Sequence, residues 1–131
     1  MLKKNISSIW ELKKIVEELL NKWYKKFLLK WDLWVGKTEF TKQLANYIWI
    51  KNISSPTYTY INIYEDKILH WDFYRISSKE EFLNLWILDE IQEYDYVIIE
   101  WPKFQELYQD KDFLEIEIKK ISENKREIII K

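Results

Sequence analysis

A chain of 131 residues with a single glycine has very little left-handed backbone available to it. Helix ends and tight turns commonly need one residue with φ near +60°, a region that costs a residue with a Cβ roughly 1–2 kcal/mol. The one glycine, Gly36, lies in "WDLWVGKT" (31–38). Phosphate-binding loops follow G-x-x-x-x-G-K-[ST], and Gly36-Lys37-Thr38 supplies its last three required residues. Trp31 stands where the first glycine belongs, followed by Asp32, Leu33, Trp34 and Val35.

The same imbalance runs through the whole composition. Average usage of about 7% predicts roughly nine glycines in a chain of this length. The sequence has 1 Gly and 8 Trp, nine together, and otherwise leans to Lys, Ile, Asn, Tyr and Phe, residues that AT-rich coding DNA favours. One reading is that UGA codons were translated as tryptophan although the source reads them as glycine. The other is an aromatic-rich core. Position separates the two. Trp23 and Trp49 each follow a helical stretch, and Trp86 follows "KEEFLNL"; all three are places for a glycine C-cap. Trp31 opens the loop and Trp34 lies within it, where backbone must turn closely around phosphate. Trp101, between Glu100 and Pro102, needs no glycine and reads as a true tryptophan. Trp71 lies in an apparent strand and reads as true as well, and Trp10 stays undecided.

The length suits one domain, residues 1–131, able to bury a core without cross-links. The absence of cysteine excludes a disulfide scaffold and fits a reducing compartment. A formal net charge of -1 gives no electrostatic sign of nucleic-acid binding. No apolar run reaches the length of a membrane span and no signal peptide opens the chain, so a soluble cytoplasmic protein is expected.

Hydrophobic spacing sets the elements. Ser8-x-x-Glu11 reads as a capping box, and Ile9, Leu12, Val16, Leu19 and Leu20 recur at helical spacing over 9–22. "YKKFLLK" (24–30) reads as a strand and "TEFTKQLANYI" (38–48) as a helix. Strand, loop and helix are the setting a phosphate loop requires. "YTYINIYED" (58–66) and "KILHWDFY" read as neighbouring strands, "SSKEEFLNL" as a short helix, and "YVIIE" (96–100) as an apolar strand ending in a carboxylate. "PKFQELY" reads as helical, with Pro102 near its first turn. "FLEIEIKKI" (113–121) and "REIIIK" (126–131) read as an antiparallel pair. The predicted class is α/β: a P-loop-type mixed sheet flanked by helices, parallel near the loop and antiparallel toward the C-terminus.

In such a loop the backbone N–H groups and the following helix N-terminus cradle phosphates, Lys37 reaches the β/γ-phosphates and the Thr38 hydroxyl ligates Mg²⁺. A second carboxylate near the metal is expected at a strand end, and Glu100 sits there; a solvated strand-end charge is the plainer reading. Asp72 either orients water and the metal shell or pairs with Arg75. His70 reads as a hydrogen-bonded structural histidine more readily than as a base. Ser55-Pro56-Thr57 is either a loop contacting the γ-phosphate or a plain turn. Arg126 either approaches the nucleotide or flanks a strand.

With glycine at 31 and 34 the loop becomes "GDLGVGKTEF". With "SSPTYTYINIYE", "LHWDFYR", "LNLWILDEI" and "VIIEWPK", it resembles the bacterial TsaE family of tRNA threonylcarbamoyladenosine biosynthesis ATPases, over nearly the whole chain and in the family's order. The resemblance implies a P-loop ATPase that binds ATP and Mg²⁺ and hydrolyses ATP slowly. It acts with the TsaD and TsaB proteins and meets tRNA only through that complex. It also implies roles: Lys37 on phosphate, Thr38 and Glu100 on Mg²⁺, Asp72 in hydrolysis, Ser55 and Thr57 in a switch-like loop, and Arg126 near the nucleotide. Glu39 departs from the threonine often found at its position, which bears on the α-phosphate contact. Two other functions fit the residues less fully. A nucleotide-free interaction module of the same fold follows if the loop tryptophans are real, and a small P-loop kinase lacks a segment long enough for a lid.

Overall fold

The computed structural model describes residues 2–31, 37–51, 61–108 and 112–131; the side chains of Lys37 and Thr38 also lie outside what it describes. β2 (Lys26–Trp31) is the central strand of a seven-stranded sheet, in the order β1-β7-β6-β2-β5-β4-β3. It pairs in parallel with β5 (Tyr96–Glu100) on one side and with β6 (Phe113–Ser122) on the other. β4 (Ile68–Asp72) extends the parallel set beside β5. The antiparallel strands close both margins: β3 (Ile61–Tyr64) on β4, β7 (Lys125–Ile130) on β6, and β1 (Leu2–Ile6) on β7.

The two faces of the sheet follow from the period of two along each strand. Phe27, Leu29 and Trp31 of β2 pack on one side with Ile68, Ile98 and Ile116, under α1 (Ile9–Asn21) and α2 (Lys37–Tyr47). Leu28 turns to the other side with Leu69, Val97 and Ile99. There Phe82 of α3 (Lys79–Asn84) and Ile87 and Ile91 of α4 (Ile87–Glu93) cover it. A ladder of rings, Phe73, Phe82, Tyr108 and Phe113, fills that second layer edge to face and stacked.

The N-terminal cap of α1 forms as its sequence suggests, with Glu11 N–H donating to Ser8 Oγ at 3.2 Å. The reciprocal half differs: the Glu11 carboxylate accepts from the Ser7 hydroxyl at 3.0 Å. Ser78 caps α3 in the same way. The helix expected over "PKFQELY" is only a single 3-10 turn, Gln105–Leu107, with Pro102 outside it. Phe104 at φ 56 breaks the helical path there. β1 and α4 are elements the sequence reading does not contain.

The helix ends answer the question posed by the tryptophans. Trp23 has φ 72, Trp49 φ 67 and Trp86 φ 58. After α1, Trp23 N–H donates to Leu20 O and Tyr24 N–H to Leu19 O. After α2, Trp49 N–H donates to Asn46 O and Ile50 N–H to Ala45 O. These paired closing bonds are the left-handed C-cap in which glycine is the usual residue. The three indoles meanwhile stand in solvent, 82%, 87% and 70% exposed. Trp31 is different: it is the last residue of β2, paired with Ile118, and its indole is 6% exposed in the α1–α2 layer. Its backbone makes no left-handed demand, and the buried indole N–H has no hydrogen-bond partner among the described residues. Trp71 is buried in β4, as its strand position suggests. Trp101 departs from expectation, with φ 53, yet its ring lies 5.2 Å from that of Tyr74, so this side chain is packed. Trp34 lies outside the described residues.

Replacing Trp23 or Trp49 by glycine relieves a left-handed Cβ at no packing cost. Each of Trp23→Gly and Trp49→Gly is expected to raise the unfolding free energy by about 1 kcal/mol, net of the added freedom of the unfolded chain. Urea denaturation of each single variant checks this, and a loss of stability would contradict the cap geometry.

Candidate functional site

Parallel pairing brings the C-terminal ends of β2, β4 and β5 to one edge of the sheet. Asp72 stands opposite Glu100 in the β4–β5 register, and Leu29 opposite Glu100 in the β2–β5 register. The main chain continues this lacing past the strand ends: Phe73 N–H donates to Glu100 O, and Trp101 N–H to Leu29 O. α2 begins at Lys37, six positions beyond the end of β2, and packs on the face that Phe27, Leu29 and Ile98 share. Its first turn therefore lies on the same side of the sheet as Glu100, Asp72 and His70.

Glu100 is 2% exposed although it ends a strand, so the reading of a solvated end charge is set aside. His70 Nε2 lies 3.3 Å from its Oε2, and Oε1 is buried with no hydrogen-bond partner among the described residues. Burying an unpaired carboxylate oxygen is costly, and a cation or a donor from a ligand is what relieves such a cost. Asp72 is half-buried, and one of its oxygens accepts from Tyr74 N–H at 2.9 Å. His70 is wholly buried and its Nδ1 is 3.0 Å from the Tyr64 hydroxyl. Burial pushes the Tyr64 phenol up to about 12; the Asn62 side chain pulls the other way and the Glu100 charge adds to the rise. Burial also raises Tyr108, whose hydroxyl donates to Lys103 O.

A second feature opens at the same edge. The β6–β7 turn and the β1–α1 junction bound a cavity of about 240 Å³ with Ser8, Ile9, Leu12, Glu39, Asn124 and Arg126 in its wall. Arg126 Nη1 donates to the carbonyls of Ser122, Glu123 and Lys125, so the turn itself holds the guanidinium in place. Glu39, in the first turn of α2, pairs with Lys42. Two residues singled out 87 positions apart thus line one cavity.

Of the other predicted site residues, Asp32, Leu33, Trp34, Val35, Gly36, Ser55 and Thr57 lie outside the described residues. Lys37 and Thr38 are placed by backbone alone, at the start of α2. Trp31 reaches the edge with its backbone while its indole turns into the core. Among the described residues no group of three or more His, Cys, Asp or Glu side chains could hold a metal by itself. Tyr64 is a site neighbour that motif reading misses, and His70, which reads in sequence as a structural histidine, lies beside Glu100. The signal for His70 was present in period-two spacing, which puts it on the same face as Asp72.

Residues 5–128 match the sequence model of the family described as threonylcarbamoyl adenosine biosynthesis protein TsaE. The chain belongs to the TsaE family. The tRNA threonylcarbamoyladenosine biosynthesis protein TsaE of Borreliella burgdorferi is 40% identical over 94 residues, 69% of this chain and 69% of that protein. The TsaE of Aquifex aeolicus is 35% identical over 130 residues, covering 89% of this chain and 86% of that protein. The crystal structure of Bacillus subtilis YdiB is similar with a TM-score of 0.67 at 29% identity, over 98% of this chain and 83% of that one. The mixed sheet and the TsaE resemblance drawn from the motifs are therefore correct. Among the described residues no helix is long and apolar enough to cross a membrane.

The two buried phenols predict alkaline sensitivity. Both are neutral in folded and unfolded chains below pH 10. Above it the unfolded chain sheds protons that the folded chain keeps, so stability falls as pH rises from 10 toward about 12. Tyr64→Phe is expected to make that decline shallower in a series of urea midpoints against pH; an unchanged slope would contradict the burial of the phenol.

Proposed function

We propose that this TsaE-family chain binds ATP with Mg²⁺ at the C-terminal edge of β2, β4 and β5 and hydrolyses it in the service of tRNA threonylcarbamoyladenosine formation. The observation that carries this reading is Glu100: a buried carboxylate with an unpartnered oxygen, one strand away from the segment that joins β2 to α2. The residues fit the group. Thr38 and Glu100 would hold Mg²⁺, which supplies charge neutralisation at the β- and γ-phosphates. Lys37 and the backbone of 31–38 would bind phosphate, and Asp72, beside Glu100, would orient the attacking water. The cavity between Glu39 and Arg126 has an apolar wall and a polar rim, which suits the nucleoside. Ser55 and Thr57 belong to this reading as the loop over the γ-phosphate. Its partners are the TsaD and TsaB proteins in the cytoplasm: TsaD transfers the threonylcarbamoyl group, and the ATP cycle of this chain supports repeated turnovers. tRNA is met only through that complex.

The reading needs small residues in the loop, so it is joined to a second proposal: positions 23, 31, 34, 49 and 86 are glycine in the protein made by its source, written as tryptophan because UGA was translated by a code that reads it as tryptophan. Four of the eight non-glycine residues with positive φ among the described ones are tryptophan. Three of those four leave the indole in solvent. A residue chosen for its side chain would be packed, as Trp101 is.

The peptide 31–37 from the native protein tests this directly. A mass matching GDLGVGK supports the recoding; a mass matching WDLWVGK overturns it and favours the nucleotide-free interaction module. In a chain carrying glycine at the five positions, MgATP is expected to raise the melting temperature, Lys37→Ala to abolish that rise, and Glu100→Gln to abolish phosphate release. Absence of any MgATP effect in the glycine-bearing chain would end the ATPase reading.

A further inference from the structure

We infer that Tyr64 and His70 form a buried positioning relay that holds the Glu100 carboxylate for its cation; this rests on the nucleotide reading above. The three side chains connect β3, β4 and β5, each diagonal in register to the next. Tyr64 Oη is 3.0 Å from His70 Nδ1, and His70 Nε2 is 3.3 Å from Glu100 Oε2. His70 is wholly buried and Glu100 nearly so, and neither His70 Nε2 nor Glu100 Oε1 has a hydrogen-bond partner among the described residues.

The chemistry assigns the protons. A phenol is a good donor and an imidazole nitrogen a good acceptor, so the Tyr64 hydroxyl fixes the Nδ1 lone pair toward itself. The ring proton then sits on Nε2, facing the carboxylate. The opposite tautomer would set a nitrogen lone pair against a buried carboxylate oxygen in a site of low dielectric, which repels. His70 therefore presents an N–H to Oε2 and leaves Oε1, the unpartnered oxygen, as the one available to a cation. At 3.3 Å the contact is longer than an aligned hydrogen bond.

This division of labour explains a histidine in an apolar layer. A carboxylate with two unheld oxygens can rotate; one oxygen held by an N–H donor cannot. Partners of this kind behind a metal-binding carboxylate typically change metal affinity by about 10–100-fold when removed. His70 is thus a positioning residue acting through Glu100, and Tyr64 acts through His70.

The test uses the native protein, or the chain bearing the residues that the native peptide mass assigns, and reads the Mg²⁺ concentration that half-saturates ATP-dependent thermal stabilisation. His70→Phe is expected to raise that concentration about tenfold or more, with ATP stabilisation recovered at high Mg²⁺. His70→Gln, which restores an N–H donor, is expected to recover part of the loss. Tyr64→Phe, a milder change, is expected to raise the concentration about fivefold, as loss of one neutral hydrogen bond would. It also serves if His70→Phe does not fold. Nitrogen-15 shifts of the imidazole should show the proton on Nε2 in the parent protein. An unchanged Mg²⁺ requirement in Tyr64→Phe and His70→Phe, or a proton on Nδ1, would overturn the relay. A parent protein that does not respond to MgATP at all would instead overturn the nucleotide reading on which the relay rests.

Discussion

The parallel pairing of β2 with β5 is the constraint on which the rest depends. It sets Leu29 opposite Glu100, and so fixes a carboxylate at the root of the segment leading to α2. Because side chains alternate along a strand, the same register that buries Ile98 on the α1–α2 face also turns Glu100 toward that face. A shift of one residue would send Glu100 into the aromatic layer of Phe73, Phe82 and Tyr108, away from His70. The apolar content of β5 thus specifies more than stability. Val97, Ile98 and Ile99 are wholly buried, and their burial on two faces is what makes the register, and hence the position of the carboxylate, unambiguous.

The parts of the fold that were legible are those where local pattern and tertiary burial agree. Ser8 and the Ile9, Leu12, Val16, Leu19 spacing announce α1; the strands "YVIIE", "KILHWDFY" and "FLEIEIKKI" carry enough β-branched and aromatic residues to be read alone. β1 was not legible because four of its five residues are exposed and two are lysine, so its order comes from pairing with β7 rather than from its own pattern. α4 was hidden by Trp86, which follows Leu85, the C-cap of α3, and is itself the N-cap of α4. The 3-10 turn at Gln105–Leu107 looked helical because Phe104 gives no sign, in its residue type, of a left-handed backbone.

The site divides in the same way. Strand-terminal carboxylates are visible in sequence because an acid closing an apolar run is unusual, and both Asp72 and Glu100 stand at the shared edge. The joining of Glu39 to Arg126 depends on the β6–β7 turn and the β1–α1 junction meeting beside α2, which no local pattern encodes. His70 was read as structural. Its structural partner proves to be the proposed metal ligand, a relation fixed by the β4–β5 register rather than by spacing along the chain.

Left-handed backbone links the fold to the function. At Trp23, Trp49 and Trp86 a bulky residue in a glycine conformation is tolerable, because the Cβ strain is about 1 kcal/mol per site and the indole has open solvent to enter. The packing that holds α1 and α2, Leu19 and Leu20 on one and Leu44 and Ala45 on the other, does not involve those indoles. Inside a phosphate loop the same exchange has no such outlet, since the backbone must close on a ligand and a Cβ with an indole occupies the space the ligand needs. One kind of replacement is therefore nearly silent at three helix ends and decisive at one loop. The sheet, the caps and the family likeness can all persist in a chain whose nucleotide site does not, and the identity of residue 34, inside the loop, decides which of the two this chain is.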